Sequence, residues 1–231
     1  MKKTLVERDE ERSRLVLSEA QEDYLKQIFI LGEDRQKVGT QALAHRLEVR
    51  PASVTEMVGR LAQLGLVEHA RYRGVSLTDS GRRVALEMLR HHRLLETFLV
   101  EVLGYGWDQV HEEAERLEHV ISERFEARIA EAMGHPTRDP HGDPIPTADL
   151  SMPPETAPIS LAELPAGESG TLARVGAQDR ENLDLLDRLG LAPGSSIEVI
   201  AAEGTALRVR AGGESFLLPG FLAERLWMEG E

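Results

Sequence analysis

Seven of the chain's eleven prolines fall between Pro136 and Pro158, and this concentration divides the sequence into two parts of different texture. Proline removes a backbone donor and fixes φ, so a stretch this rich in it cannot continue a helix or join the interior of a sheet. The stretch reads as a linker or extended strap rather than a packed element. Before it, apolar residues recur at helical spacing. After it come short runs of strand character, Gly170 to Val175, Ser196 to Ala201, Ala206 to Ala211 and Ser215 to Leu218, with one amphipathic turn from Leu183 to Leu189. The expected fold class is therefore mainly α with a small all-β C-terminal domain of barrel type.

The helical part can be punctuated from local chemistry. Ser18 followed by Gln21 is a capping box, opening a helix with Tyr24, Leu25, Ile28 and Leu31 inward and ending at Gly32. Thr40 can cap a short second helix carrying Leu43, Ala44 and Leu47. Pro51, suited to a first helical position, begins a third with Val54, Val58, Leu61 and Leu64, stopped by Gly65. Val67 to Ala70 and Val75 to Thr78 form a hairpin around the basic tip Arg71-Tyr72-Arg73-Gly74. Thr78 or Asp79 then starts a long helix reaching Leu103, and Asp108 starts another reaching Met133.

A net charge of −13 argues, as a total, against nucleic acid binding, but its distribution argues for it. Between Gly39 and Arg83 seven arginines face four acids, a balance of +3; between Val84 and Met133 five arginines face eleven acids, a balance of −6. One segment is suited to phosphate and the next to cations. No apolar run approaches the ~20 residues of a membrane helix, and the charged N-terminus lacks a signal peptide's apolar stretch, so a cytoplasmic location is expected and no membrane partner. The chain has no cysteine, so a metal site here must use carboxylates, imidazoles, amides, water or Met sulfur.

Two short helices, a tight turn between them and a hairpin behind them follow the order of a winged helix-turn-helix, whose second helix enters the major groove. Arg50, Pro51, Ala52, Ser53, Thr55 and Glu56 at its start, and Arg60 one turn on, would face DNA. Small residues let the backbone approach, and hydroxyls can bond phosphate or base edges. Arg71 and Arg73 on the wing would neutralise phosphates. A plain three-helix bundle with an exposed arginine face shows the same pattern, and the basic wing favours the DNA reading.

In the last long helix His111, Glu115, Glu118, His119 and Ser122 share one face, bordered by Val110, Leu117, Val120, Ile121 and Phe125 as a buried seam. His92 and Glu96 lie four apart on the preceding helix. Two helices offering imidazoles and carboxylates can close around a divalent cation. Any one such pair is ordinary on a helix surface; it is the grouping that points to metal. The alternative is a small metal-dependent hydrolase using the same cluster, but no zincin motif or nucleophile arrangement accompanies it. His141 and Asp143, in the proline-rich stretch, are assigned to a turn.

These residues resemble the DtxR/MntR family of metal-dependent transcriptional regulators over nearly the whole chain. The segments that carry the resemblance are Glu22-Asp23-Tyr24-Leu25, Ser53-Val54-Thr55, Leu77-Thr78-Asp79-Ser80-Gly81, His92-Arg93-Leu94-Leu95-Glu96, Val110 to His119, and Gly142-Asp143-Pro144-Ile145-Pro146. Leu189-Gly190-Leu191-Ala192-Pro193-Gly194 looks like part of an SH3-like (FeoA-type) domain. The resemblance implies a homodimer that binds double-stranded operator DNA when metal is bound. It implies a primary site of Asp23, Glu115, Glu118 and His119, and a second of His92, Glu96 and His111, with His92 shared into the main cluster in manganese-type members.

Iron-type members place methionine at position 23 and cysteine at 115; the oxygen donors here suit Mn²⁺ better, with Fe²⁺ or another divalent transition metal as the alternative. Lys26 stands where manganese-type members have glutamate, and an ammonium cannot ligate. Longer members also lend a Glu and a Gln from the SH3-like domain; Gln178 and Asp179 lie near those places without matching them. The implied division is 1–80 winged helix-turn-helix, 81–135 helical metal-binding and dimerisation domain, 136–158 proline-rich linker, and 159–231 SH3-like domain.

Overall fold

The computed structural model describes residues 17–32, 37–70, 74–154 and 159–229. It divides into two compact units, Met1–Ala85 and Leu86–Glu231. In the first, α1 (Glu19–Leu31) begins at the expected capping box, with Gln21 Oε1 accepting from the Ser18 backbone N–H at 2.9 Å, and stops at Gly32. Helix α2 (Thr40–Arg46) is capped by Gly39, so Thr40 is its first residue and not its cap. Helix α3 (Pro51–Gln63) has proline in its first turn. Strands β1 (Val67–Ala70) and β2 (Gly74–Leu77) pair antiparallel, and Val38 bridges Val75.

Tyr24, Leu25, Ile28, Leu43, Val54, Val58, Leu61, Val67 and Val75 form one core beneath these elements. Leu31 and Leu64, expected inward, are exposed. Each lies at a helix C-terminus, past the last turn that meets the core. Arg71 and Arg73 of the expected basic tip lie outside the described residues.

Helix α4 (Asp79–Glu101) runs from the first unit into the second. The single helix expected from Asp108 to Met133 is two: α5 (Val110–Leu117) and α6 (Glu123–Ala132). The break has a local cause. Ser122 is extended, at φ −91° and ψ 153°, and its side chain accepts from the Phe125 N–H, so it caps α6 instead of extending a polar stripe. Val120 and Phe125, expected in a buried seam, are exposed for the same reason.

The proline-rich stretch also differs from a free linker. Ile145 lies in a core with Leu94, Leu95, Ala114, Ile129 and Ala130, and Asp139 and His141 are buried. Prolines bar this segment from helix and sheet interior but do not bar its side chains from burial.

The remainder is a six-stranded antiparallel sheet in the order β3-β8-β4-β5-β6-β7. Its strands are β3 (Ile159–Ser160), β4 (Ser169–Val175), β5 (Ser196–Glu203), β6 (Ala206–Ala211), β7 (Glu214–Pro219) and β8 (Leu226–Met228), with α7 (Arg180–Arg188) after β4 and α8 (Gly220–Ala223) before β8. The short β3 and β8 were not anticipated from sequence. Trp107, from the α4–α5 connection, packs against this domain's core. The strap meets it too: Val175 N–H donates to His141 O at 2.8 Å. Gly142 has φ +87°, and a Cβ there would overlap the Ala173 carbonyl oxygen. Among the described residues no helix is long and apolar enough to cross a membrane.

Gly142→Ala is therefore expected to lower stability by roughly 2–4 kcal/mol, from left-handed strain plus overlap with a neighbouring backbone. Gly134→Ala, at φ +72° in open space, should lose only about 1 kcal/mol. Denaturant unfolding checks the pair; equal losses would contradict the close approach.

Candidate metal centre

Helix α4 presents His92 and Glu96 one turn apart and buries both. Helix α5 faces them with His111 and Glu115, and its C-cap is Glu118, which is fully buried. His92 Nδ1 lies 2.6 Å from Glu118 Oε2, and His92 Nε2 lies 3.0 Å from both His111 Nδ1 and Glu96 Oε1. His111 Nδ1 is 3.2 Å from Glu96 Oε1, and its Nε2 is 3.8 Å from Glu115 Oε1. His119 Nε2 is 3.5 Å from Glu118 Oε1. The turn carrying Glu118 is held from behind, because its carbonyl lies 3.1 Å from His91 Nδ1. The other His91 nitrogen lies 3.2 Å from Glu126. Burial lowers the His91 pKa, but Glu126 and the Glu118 carbonyl outweigh burial and raise it overall.

Asp139 and His141 join Glu96 in a second group that the sequence did not disclose. All three are buried, and one donor atom from each lies within 4.8 Å of the others. His141 Nε2 is 3.0 Å from the Trp107 carbonyl, and the two rings stack at 5.6 Å. A carbonyl only accepts, so Nε2 carries a proton, and Nδ1 is the nitrogen that faces the carboxylates. Nδ1 is buried with no hydrogen-bond partner, 3.7 Å from Glu96 Oε2. Asp139 Oδ1 accepts from the backbone N–H groups of His141 and Asp143, each at 2.9 Å, so the expected turn is present and also shapes the cluster. The available signal was Asp139-Pro140-His141, a carboxylate and an imidazole fixed around a proline.

Charge inside this group is finely opposed. Burial raises the Glu96 pKa, but the charge on His92 and the imidazoles of His111, His141 and His92 around it hold it well below the usual carboxylate range. Burial, then the negative charges of Asp143 and Glu96, push Asp139 up to about 7 against the pull of Arg93 and His141. Burial lowers the His141 pKa, and Glu96 and Asp139 more than offset it. Gln178 and Asp179 stand outside the cluster: Gln178 Nε2 donates to Asp143 Oδ2 at 2.6 Å, and Asp179 caps α7.

Two donors at right angles on an ion with bonds of about 2.0–2.2 Å sit about 3 Å apart. The nitrogen and oxygen donors here fall near that spacing, and both groups contain only N and O donors. They fit a divalent cation. Asp23 is carried on α1 of the first unit, one turn before the buried Lys26. On α3, the sequence-predicted Pro51, Ala52, Ser53, Thr55, Glu56 and Arg60 are exposed, as is the cap Arg50. Thr55 Oγ1 donates back to Pro51 O at 3.1 Å, and Arg60 pairs with Glu56.

Residues 16–75 match the model of the iron dependent repressor N-terminal DNA binding domain, 78–147 its metal binding and dimerisation domain, and 159–229 the FeoA domain. The chain is 33% identical to the iron-dependent repressor IdeR of Mycobacterium leprae over 225 residues, covering 92% of this chain and 98% of that one. It is therefore a member of the DtxR/MntR family.

The diphtheria toxin repressor of Corynebacterium efficiens is 33% identical over 197 residues, covering 81% of this chain and 86% of that one. Among solved structures, a manganese-dependent transcriptional repressor in complex with manganese superposes with a TM-score of 0.84 at 41% identity, covering 91% of this chain and all of that one. The crystal structure of T. acidophilum IdeR gives a TM-score of 0.75 at 29% identity, covering 94% of this chain and 100% of that one. The DtxR/MntR family consists of divalent-metal-dependent, DNA-binding transcriptional regulators, not enzymes, which sets aside the hydrolase alternative.

Asp139→Asn keeps both backbone acceptor bonds while removing a charge that is costly to ionise. Because the folded pKa of Asp139 is raised, its stabilising contribution is present below the unfolded value near 4 and is lost as pH rises through about 7. Without metal, the variant should melt higher than wild type at pH 8, by roughly 5 °C, with a smaller gain at pH 5. Added Mn²⁺ should stabilise it less than wild type. A metal-free variant that melts lower at pH 8 would contradict the charge balance described.

Proposed function

We propose that this protein is a manganese-responsive repressor of metal-ion homeostasis, acting on operator DNA as a homodimer in the cytoplasm. The observation that carries the reading is the sulfur-free donor set in which His92 Nδ1 meets Glu118 and His92 Nε2 meets His111, with Glu115 beside it. Carboxylate and imidazole donors suit Mn²⁺ better than thiolate or thioether would, although geometry and availability must supply the final selectivity. Glu115, Glu118 and His119, with His92, are assigned to the primary ion, and Asp23 is added on the strength of the family resemblance. Glu96, Asp139 and His141 are assigned to a second ion, supported by the orphaned Nδ1 of His141. His111 lies against both groups through His92 and Glu96.

When bound, the ion supplies a compact double positive charge. The residues do the rest. Glu118 is fixed by its own position as helix cap and by His91 behind its carbonyl. His92 is held between Glu118 and Glu96, so its ring cannot turn without losing one partner. In this reading metal occupancy is linked to DNA binding, and that linkage is reciprocal. A dimer in turn fixes the separation of two reading helices, which half-sites on DNA require. The domain limits at 80, 135 and 158 are part of the same proposal, as are contacts of Arg50, Arg71 and Arg73 with phosphate. Exposed Val102, Leu103, Tyr105, Val120 and Phe125 in the second unit supply apolar surface for the partner subunit.

Glu118→Ala should keep the helical circular dichroism of wild type yet lose Mn²⁺-stimulated binding to a random-sequence DNA pool in a mobility shift, by about 10-fold or more. Equal stimulation of the two proteins would overturn the assignment. Val120→Glu with Phe125→Glu should shift the protein toward monomer in light scattering; an unchanged mass would place the interface elsewhere.

A further inference from the structure

Helix α3 turns Val54, Val58 and Leu61 into the core. At 3.6 residues per turn, the side opposite that stripe is centred on Glu56, with Ala52 one turn before it and Gly59 and Gln63 after it. An acidic residue at the centre of a face that must meet a polyanion is costly unless it has a specific donor to meet. Glu56 is paired with Arg60 one turn on, but the two side chains are 65% and 61% exposed. A pair so exposed contributes little, so it opens easily.

Gly59 is the second observation. A glycine inside a helix costs about 1 kcal/mol relative to alanine. Here no atom lies within 4 Å of where a Cβ would be, so neither the core nor a neighbouring turn requires the missing side chain. What its absence leaves is room on the outward side, one turn beyond Glu56.

The geometry points to Glu56 as the residue that sets base specificity, accepting a hydrogen bond from the exocyclic amino group of a cytosine in the major groove. Gly59 lets the helix come close enough for a side chain of that length to reach, and Arg60 is released to a phosphate. Cytosine is selected because its amino group is the only hydrogen-bonding group it shows in the groove, whereas adenine sets an acceptor nitrogen beside its amino group that repels a carboxylate. Guanine and thymine offer acceptors alone. This inference rests on α3 being the reading helix.

The test is selection from a random double-stranded pool in Mn²⁺ with full-length wild type, Glu56→Gln and Gly59→Ala, followed by titration of single-base-substituted probes. Wild type should recover a two-fold symmetric site with one cytosine per half that it cannot lose without about 5- to 100-fold weaker binding. Glu56→Gln should accept adenine there, since glutamine offers both donor and acceptor, and the other positions should stay as they were. Removing a negative charge also strengthens binding to every sequence alike, so the readout is the ratio between bases and not the affinity. Gly59→Ala should melt higher than wild type yet bind the selected site at least 5-fold more weakly. An unchanged base preference in Glu56→Gln, or undiminished binding by Gly59→Ala, overturns the inference while leaving the regulatory function standing. Failure of wild type to select any sequence overturns both.

Discussion

A carboxylate buried in the middle of a helix has to find positive charge or give up its own, and Glu96 finds it in imidazoles from three directions. His92 reaches it from its own helix at 3.0 Å, His111 from α5 at 3.2 Å and His141 from the strap at 3.7 Å. Desolvation on its own would drive such a group neutral. The arrangement of α4, α5 and the strap is what prevents that. Because His141 also meets the Trp107 carbonyl and Trp107 packs against the β-domain's core, the demand made by one carboxylate extends to how the C-terminal domain is seated. Arg93 extends the same network: it donates to Pro144 O and lies 3.6 Å from Asp139 and 3.7 Å from Asp143.

The cluster holds more negative charge than its imidazoles settle comfortably. Asp139 is pushed up to about 7 by burial and by Asp143 and Glu96, which is the mark of a site waiting for a proton or a cation. A divalent ion relieves that repulsion more completely than a proton does. The stretch from Gly39 to Arg83 faces the opposite problem, with seven arginines to four acids and an exposed α3 suited to phosphate. A single chain thus keeps its two charge requirements on separate units, and the acidic total says little about either.

Much of this was legible in the residues because it is locally determined. Ser18 with Gln21, Pro51 and Gly65 mark helix ends by chemistry that acts within one turn. His92, Glu96, His111, Glu115, Glu118 and His119 could be grouped because helical spacing fixes which side chains share a face. The break after Leu117 was hidden, since Glu118 to Ile121 continue the helical pattern and only Ser122 supplies a competing cap. His141 was hidden for another reason. Its partners Glu96 and Trp107 lie far back along the chain, and no local period announces a contact made by a proline-rich strap. The prolines argue against regular structure there, and none of its described residues is in a helix or strand, but exclusion from helix and sheet carries no information about burial.

The central claim is that occupancy of these nitrogen and oxygen donors and binding of DNA are one coupled equilibrium. The most direct measurement is the Mn²⁺ affinity of the full-length protein by calorimetry, alone and saturated with a duplex selected from a random pool. Thermodynamic linkage requires DNA to tighten Mn²⁺ binding by the same factor by which Mn²⁺ tightens DNA binding, and about 5- to 150-fold is predicted. A Mn²⁺ affinity that is the same with and without DNA would contradict the account.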